Sequence, residues 1–237
     1  MDAAVILAID TSGATASVAV YSQRVLAELA WHSGRSHSAQ TLPAIDAVLR
    51  LANVDKRQVS AIAVASGPGS YSGLRVGAST AMAMAMALEI SAVQVPTLDV
   101  IAWSQCSTSG GDQRTDIRPI RAAIDVGRGH YASARFRRGA SQLERETRIE
   151  SAGLGELLEL ATAERSVLAV DLDPASRERA DQNYGARLNL VSPAAGLRRA
   201  GFLAELAAHR IGRGELAPSA ILEPIYAGDR GQVAGEK

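Results

Sequence analysis

The side chains of this sequence with chemical potential are few: two aspartates at apolar-run ends, two serines in a glycine-rich turn, four histidines and one cysteine. Asp10 closes the run Val5-Ile6-Leu7-Ala8-Ile9 and leads into Thr11-Ser12-Gly13, while Asp125 closes Ala122-Ala123-Ile124 and leads into Gly127-Arg128-Gly129. A carboxylate at such a position either folds back on its own backbone as an Asx turn or serves as a ligand, and the residues leave both readings open. Gly67-Pro68-Gly69-Ser70-Tyr71-Ser72-Gly73 also has two readings. Backbone N–H groups at a helix start, with Ser70 or Ser72 as cap and Arg75 in the first turn, make an anion site. Alternatively, the glycines serve only the tight geometry of a strand-to-helix turn.

Other chemistries lack their partners. His32 and His37 are five apart, on different faces of a helix, and neither His130 nor His209 has a close companion, so no metal site is expected. His37 reads instead as a helix-start residue near an interface between lobes. Ser70 and Ser72 do not stand in the strand, Gly-x-Ser-x-Gly, helix setting of a hydrolase elbow. Cys106 lies among Ser and Thr with no histidine beside it, which makes it a passive helix residue. No catalytic set is expected.

These residues need elements to hold them. Continuous apolar runs at Val5 to Ile9 and Ala61 to Ala65 read as strands buried on both faces. Ala16 to Tyr21 and Val25 to Trp31 read as returning strands, and Val93 to Val95 as a further one. Ser38 to Leu51 carries Leu42, Ile45, Val48 and Leu49 at helical spacing, with Pro43 acceptable in a first turn or at a kink. Asp99 to Cys106, Gly155 to Ala163 and a long Pro193 to Gly212 segment read as further helices, with Val167 to Val170 a buried strand. Ala122 to Asp125, a glycine turn and Tyr131 to Ala134 repeat the plan of the first hairpin, the mark of a duplicated unit. The Ser, Thr, Gly and Asp-rich stretch from Ser107 to Asp116 divides the chain. Residues 1–106 are then an N-terminal lobe and 107–237 a C-terminal lobe, with a frayed tail over 228–237 and a last helix free to pack back on the first lobe.

The helix after the glycine turn has an unusual surface. From Val76 to Leu88 it holds no charged residue, and a helix apolar all round must be covered all round. Gly77, Ala81 and Ala85 form a smooth ridge for another helix to approach, with Met82 and Met86 beside it as an adaptable surface. The expected partner-binding residues are Leu42, Ile45 and Leu49 on one helix, and Leu74, Gly77, Ala78, Ala81, Met82, Ala85 and Met86 on the other. The competing reading places this helix at the centre of a single compact domain.

Composition narrows the class. An apolar fraction of 47% in 237 residues is ample for a true core, and the formal charge of zero gives no general grip on nucleic acid or an anionic membrane. A single cysteine fits a reducing compartment. With no signal peptide in Met1 to Ala8 and no run long enough to span a membrane, a cytoplasmic protein is expected. The arginines from Arg114 to Arg138 lack an aromatic platform and read as a solvated hairpin that adds little to RNA affinity.

Several of these motifs together resemble the TsaB family. They are Asp10-Thr11-Ser12, His37-Ser38 with Leu42-Pro43, Gly67-Pro68-Gly69-Ser70-Tyr71-Ser72-Gly73-Leu74-Arg75-Val76-Gly77, Ala123-Ile124-Asp125 through Tyr131, and Glu223-Pro224-Ile225-Tyr226. Tyr71-Ser72 stands where the family usually has Phe-Thr. The resemblance implies an α/β, actin-like, two-lobed fold of the sugar-kinase and heat-shock ATPase superfamily, with a mixed sheet and flanking helices in each lobe. It implies a non-catalytic dimerisation subunit in the formation of N-threonylcarbamoyladenosine in tRNA, paired with the transferase TsaD and joined by the ATPase TsaE. A homodimer in isolation, only indirect contact with tRNA, and no cofactor of its own beside ATP or ADP in the complex are also implied. In the superfamily two hairpin turns close on nucleotide phosphates, which makes Asp10, Thr11, Ser12 and Asp125 a vestigial nucleotide site here. The alternatives are an autonomous nucleotide-dependent enzyme of the actin-like superfamily and a homodimeric binding protein.

Overall fold

A computed structural model describes residues 4–34, 36–108, 118–138 and 143–214. Two mixed sheets carry the fold. In the first, β1 (Ile6–Asp10), β2 (Thr15–Tyr21) and β3 (Val25–His32) form an antiparallel meander. Helix α1 (His37–Ala52) then returns the chain to β4 (Ala61–Ala65), and α2 (Tyr71–Leu88) returns it to β5 (Ser91–Val95). β4 pairs parallel to both β1 and β5, giving the order β3-β2-β1-β4-β5. β1 and β4 are buried along their whole length, as strands covered by helices on both faces must be.

After α3 (Thr97–Thr108) the plan recurs. β6 (Ile120–Gly127) and β7 (His130–Arg138) form a hairpin, followed by β8 (Leu143–Arg145) and β9 (Glu150–Gly153), both of which pair with β7. Then come α4 (Leu154–Ala163), β10 (Val167–Ala169), α5 (Pro174–Tyr184), β11 (Asn189–Leu190), the short α6 (Pro193–Gly196) and α7 (Ala200–Gly212). β10 lies parallel to β6 as β4 lies parallel to β1. The expected architecture, two lobes each with a mixed sheet and flanking helices, is present, and the hairpin and parallel strand recur in both.

The final helix of each half crosses to the other half. Leu98, Ile101 and Ala102 of α3 pack with Ile120, Ile124 and Phe136 of the second sheet. Ala200, Leu203, Ala204 and Ala207 of α7 pack with Ile6, Ala8, Ala19 and Ala63 of the first. A boundary at residue 106 therefore cuts behind a helix whose apolar face belongs to the second sheet.

Pro193 to Gly212, expected as one helix, is two, separated by Leu197–Arg199. The break has a tertiary cause. Glu28 on β3 accepts the Gly201 N–H at 2.8 Å and the Arg199 Nε at 2.9 Å, which satisfies a donor in the first turn of α7 and sets where that helix begins. The start of α1 at His37 also places Pro43 inside that helix, on its exposed side, beyond the first turn.

The Arg114 to Arg138 stretch, expected as a solvated hairpin, holds a buried cation. Arg121 on β6 is fully buried and bonds Glu164 through Nε at 2.8 Å, with Ser133 and Glu150 at 3.0 and 3.2 Å. Arg135 and Arg137 both pair with Glu146, so these arginines serve an ion-pair network on the hairpin. Part of the stretch from Arg114, most of the Ser107 to Asp116 linker, the Glu223-Pro224-Ile225-Tyr226 motif and the 228–237 tail lie outside the described residues.

Candidate functional site

The glycine-rich turn and the end of β1 are built against each other. Ser70 caps α2 by accepting the Gly73 N–H at 3.3 Å, and the Ser70 N–H donates to the Ser12 carbonyl at 2.6 Å. Thr11 Oγ1 donates to the Gly73 carbonyl at 2.7 Å. A Cβ at Gly69 would lie 2.1 Å from the Ser12 carbonyl oxygen, one at Gly73 2.0 Å from that of Thr11, and one at Gly77 2.5 Å from Thr11 Oγ1. The three glycines therefore exist for the close approach of the β1–β2 turn, which is the geometric reading of the motif. The donors of the anion reading are in part already committed, and Arg75 stacks over the Tyr71 ring, 5.0 Å from its centroid.

Both hairpin aspartates make Asx turns. Asp10 Oδ1 accepts the Ser12 N–H at 2.9 Å and its hydroxyl at 2.6 Å, and Asp125 Oδ1 accepts the Gly127 N–H at 2.6 Å. Their surroundings differ. Asp125 is exposed, whereas Asp10, Thr11 and Ser12 are buried. Arg198, from the break between α6 and α7, sets its Nε 3.3 Å from Asp10 Oδ2 and donates through Nη2 to the Thr15 carbonyl. The guanidinium lies over Gly13, where a Cβ would fall 2.5 Å from both terminal nitrogens. Thr15 also donates to Asp171 at 2.9 Å across the lobes. The first hairpin turn is thus closed by the chain's own cation.

His37, the first residue of α1, sits beside this cluster. It is buried, and Nε2 lies 3.4 Å from where a Cβ on Gly73 would be. Burial lowers its pKa from 6.5 and the Arg198 charge adds to that, against opposing contributions from Asp10 and the Gly13 carbonyl. His32 and His130 are exposed, and His209 packs edge-on against Trp103 at 5.7 Å. Among the described residues, no three His, Cys, Asp or Glu side chains stand close enough to hold a metal ion.

The two helices expected to meet a partner lie side by side on one face of the first sheet, and the structure divides the expected residues in two. Ile45, Leu49, Leu74, Gly77, Ala81 and Ala85 are buried in the chain's own core, and Ile45, Leu49, Ala81 and Ala85 pack in one cluster with Leu7, Ile9, Ile62 and Val64 of the first sheet. The Gly77-Ala81-Ala85 ridge is thus turned inward, a correction to its expected role: small residues let α2 lie close to its own sheet. Ala78 and Met82 are half-buried, while Leu42 is 58% and Met86 69% exposed. With Ala83 and Ala87 exposed beside Met86, the outer side of α2 is apolar and bare in its C-terminal part, while Ser72, Arg75 and Ser79 line it nearer the start. The central-helix reading holds for one flank of α2 only. Among the described residues, no helix is long and apolar enough to cross a membrane.

The fold defines the class: a two-lobed α/β protein with a mixed sheet in each lobe, whose first hairpin turn is closed by an internal ion pair. The sequence pattern of the family described as TsaD, tRNA N6-adenosine threonylcarbamoyltransferase, matches residues 24–191, more than half of the chain. A TsaB protein from Bacillus subtilis, a tRNA threonylcarbamoyladenosine biosynthesis protein, is 37% identical over 98 residues, 41% of this chain and 43% of the relative. The TsaB of Escherichia coli is 29% identical over 133 residues, 56% of this chain and 55% of the relative. The chain thus spans about half the length of the curated relatives it matches. The solved structure of YeaZ from Pseudomonas aeruginosa shares the fold, with a TM-score of 0.70 at 23% identity over 94% of this chain and 99% of that one. The chain belongs to this family, and the curated relatives it resembles carry the TsaB name.

Proposed function

We propose that this chain is a non-catalytic docking subunit that binds and activates a TsaD-type threonylcarbamoyltransferase in the formation of N-threonylcarbamoyladenosine in tRNA. One observation carries the reading: Leu42 and Met86, on neighbouring helices of the first lobe, are large apolar side chains that this chain by itself leaves exposed. Two further facts support it. Asp10 is engaged by Arg198, and no cluster of three possible metal ligands occurs among the described residues. The names of the relatives support the pathway, and a TsaD-type partner fits it.

The α1–α2 face takes TsaD, or a second copy of this chain when TsaD is absent. TsaE joins the larger assembly, where ATP or ADP is handled, and tRNA is met through the partner.

The test is reconstitution. Purified chain, TsaD and the remaining components are assayed for modified adenosine with wild type, Met86→Glu and Leu42→Glu. A buried unpaired carboxylate at the contact is expected to weaken capture of TsaD by about 3 kcal/mol or more, with folding unchanged because both sites are exposed in the free chain. Normal capture and full modification by both variants would remove the face from the interface.

A further inference from the structure

The turn that ends β1 is the seat of both helices of the docking face. Its carbonyls reach into α2: that of Ser12 accepts the Ser70 N–H, and those of Thr11 and Ser12 stand 2.0 and 2.1 Å from the absent Cβ atoms of Gly73 and Gly69. Its other neighbour is the buried His37, which begins α1. A contact this close has no slack, so a displacement of the turn passes to the helix starts and is not absorbed in side-chain rotation. Yet the turn is held from far along the chain. Arg198 neutralises Asp10, both groups being buried, caps the Thr15 carbonyl and sets its two terminal nitrogens against Gly13.

We infer that Arg198 is a positioning residue whose guanidinium, seated on Asp10, Gly13 and the Thr15 carbonyl, holds the 10–15 turn in the shape that aligns the first turns of α1 and α2. The docking face of the first lobe is thereby set by the segment between α6 and α7. Without the guanidinium, the Asp10 carboxylate keeps only Ser12 as a partner. A buried charge so poorly satisfied pulls water into the turn or opens it. Lysine replaces the charge but not the planar fork that serves Asp10 and Thr15 together. The last step, from helix starts to partner, rests on the function proposed above.

Amide hydrogen exchange on the isolated chain reads the first step without any partner. In Arg198→Ala, exchange at Ser70, Gly73, Leu74 and Gln40 is expected to rise about tenfold or more, with the β6–β7 amides unchanged. Free guanidinium at millimolar concentration, far below denaturing levels, is expected to restore protection in this variant and to leave wild type unaffected. Arg198→Lys falls between the two. Loosening confined to residues 197–199, or guanidinium acting alike on variant and wild type, would overturn the inference. Should Arg198→Ala fail to fold, Arg198→Lys and Asp10→Asn report on the same amides with the same two outcomes. In the docking arm, Arg198→Ala is expected to capture TsaD about tenfold less tightly, a loss of ~1.4 kcal/mol. Loosened helix starts with unchanged capture would break the link to the face. Failure of wild type to capture TsaD would count against the proposed function and leave the exchange result standing.

Discussion

Thr11 and Gly73 hold each other from both sides: the threonine hydroxyl donates to the glycine carbonyl at 2.7 Å, and the threonine carbonyl oxygen lies 2.0 Å from where a Cβ on residue 73 would be. The obstructing atom is backbone at the end of a buried strand, so it cannot swing aside. Gly73→Ala is therefore expected to destabilise the fold by about 1–3 kcal/mol or more, although alanine is the better helix former. Gly155→Ala, in the first turn of α4 with nothing within 4 Å, is the control and is expected to be neutral or stabilising. Urea unfolding of the two variants beside wild type checks both signs.

Ala85 and Met86 are neighbours with opposite fates. Ala85 is buried against the first sheet, whereas Met86 is exposed. Ala85→Arg places a cation in the apolar core and is expected to cost several kcal/mol, on the order of a buried unpaired charge. Met86→Arg is expected to stay within about 0.5 kcal/mol of wild type. Thermal melts of the isolated chain distinguish them, and equal losses would mean that α2 is rotated from the orientation described.

Arg121 and Glu164 form the ion pair on which the second sheet is sensitive. Burial opposes the Glu164 charge, but the hydrogen bonds and charge of Arg121, with the Ser166 hydroxyl, outweigh it and hold the carboxyl below the usual value of 4.5. A folded pKa below the unfolded one contributes stability above about pH 4.5, lost as the pH falls through the folded value. Glu164→Ala leaves the buried guanidinium with Glu150 and Ser133, and a loss of ~3 kcal/mol at neutral pH is expected, at the low end for breaking a buried pair. Glu150→Ala removes a half-exposed partner and is expected to cost at most about 1 kcal/mol. Denaturant midpoints at neutral pH rank the two.

His37 gives a pH dependence of its own. Above its ordinary pKa of 6.5 the ring is neutral in both folded and unfolded chains. Below that value the unfolded chain takes up the proton, while the folded chain, mainly through burial and then the Arg198 charge, refuses it. Stability therefore falls as the pH drops from about 6.5, by at most ~1.4 kcal/mol per pH unit, and levels off below the folded pKa. Asp99 runs the other way, because burial raises its pKa against the pull of Arg210 and Arg145. Comparing wild type with His37→Gln between about pH 7 and pH 5 cancels that background, and the slope difference is the His37 contribution.

The strands were legible because their signal is local. Val5 to Ile9 and Ala61 to Ala65 are apolar without interruption, as strands buried on both faces must be, and both appear in the first sheet. The duplicated hairpin and the helix after the glycine turn were legible for the same reason. The orientation of α2 was not. A helix without charges carries no periodic mark of its wet side, and a ridge of glycine and alanine suits a strand surface as well as another helix. The break at Leu197–Arg199 escaped for a different reason: Glu28 on β3 supplies the first-turn contact at Gly201, and no local pattern names a partner so distant.

What the sequence alone determined about this protein is its set of elements, its internal repeat and the family motifs, all encoded by residues near one another in the chain. Tertiary structure alone decided which apolar faces are covered and which are bare, and that Arg198 meets Asp10 across 188 positions. Burial and ion pairing depend on what stands opposite in space, and for these groups the opposite wall comes from another part of the fold.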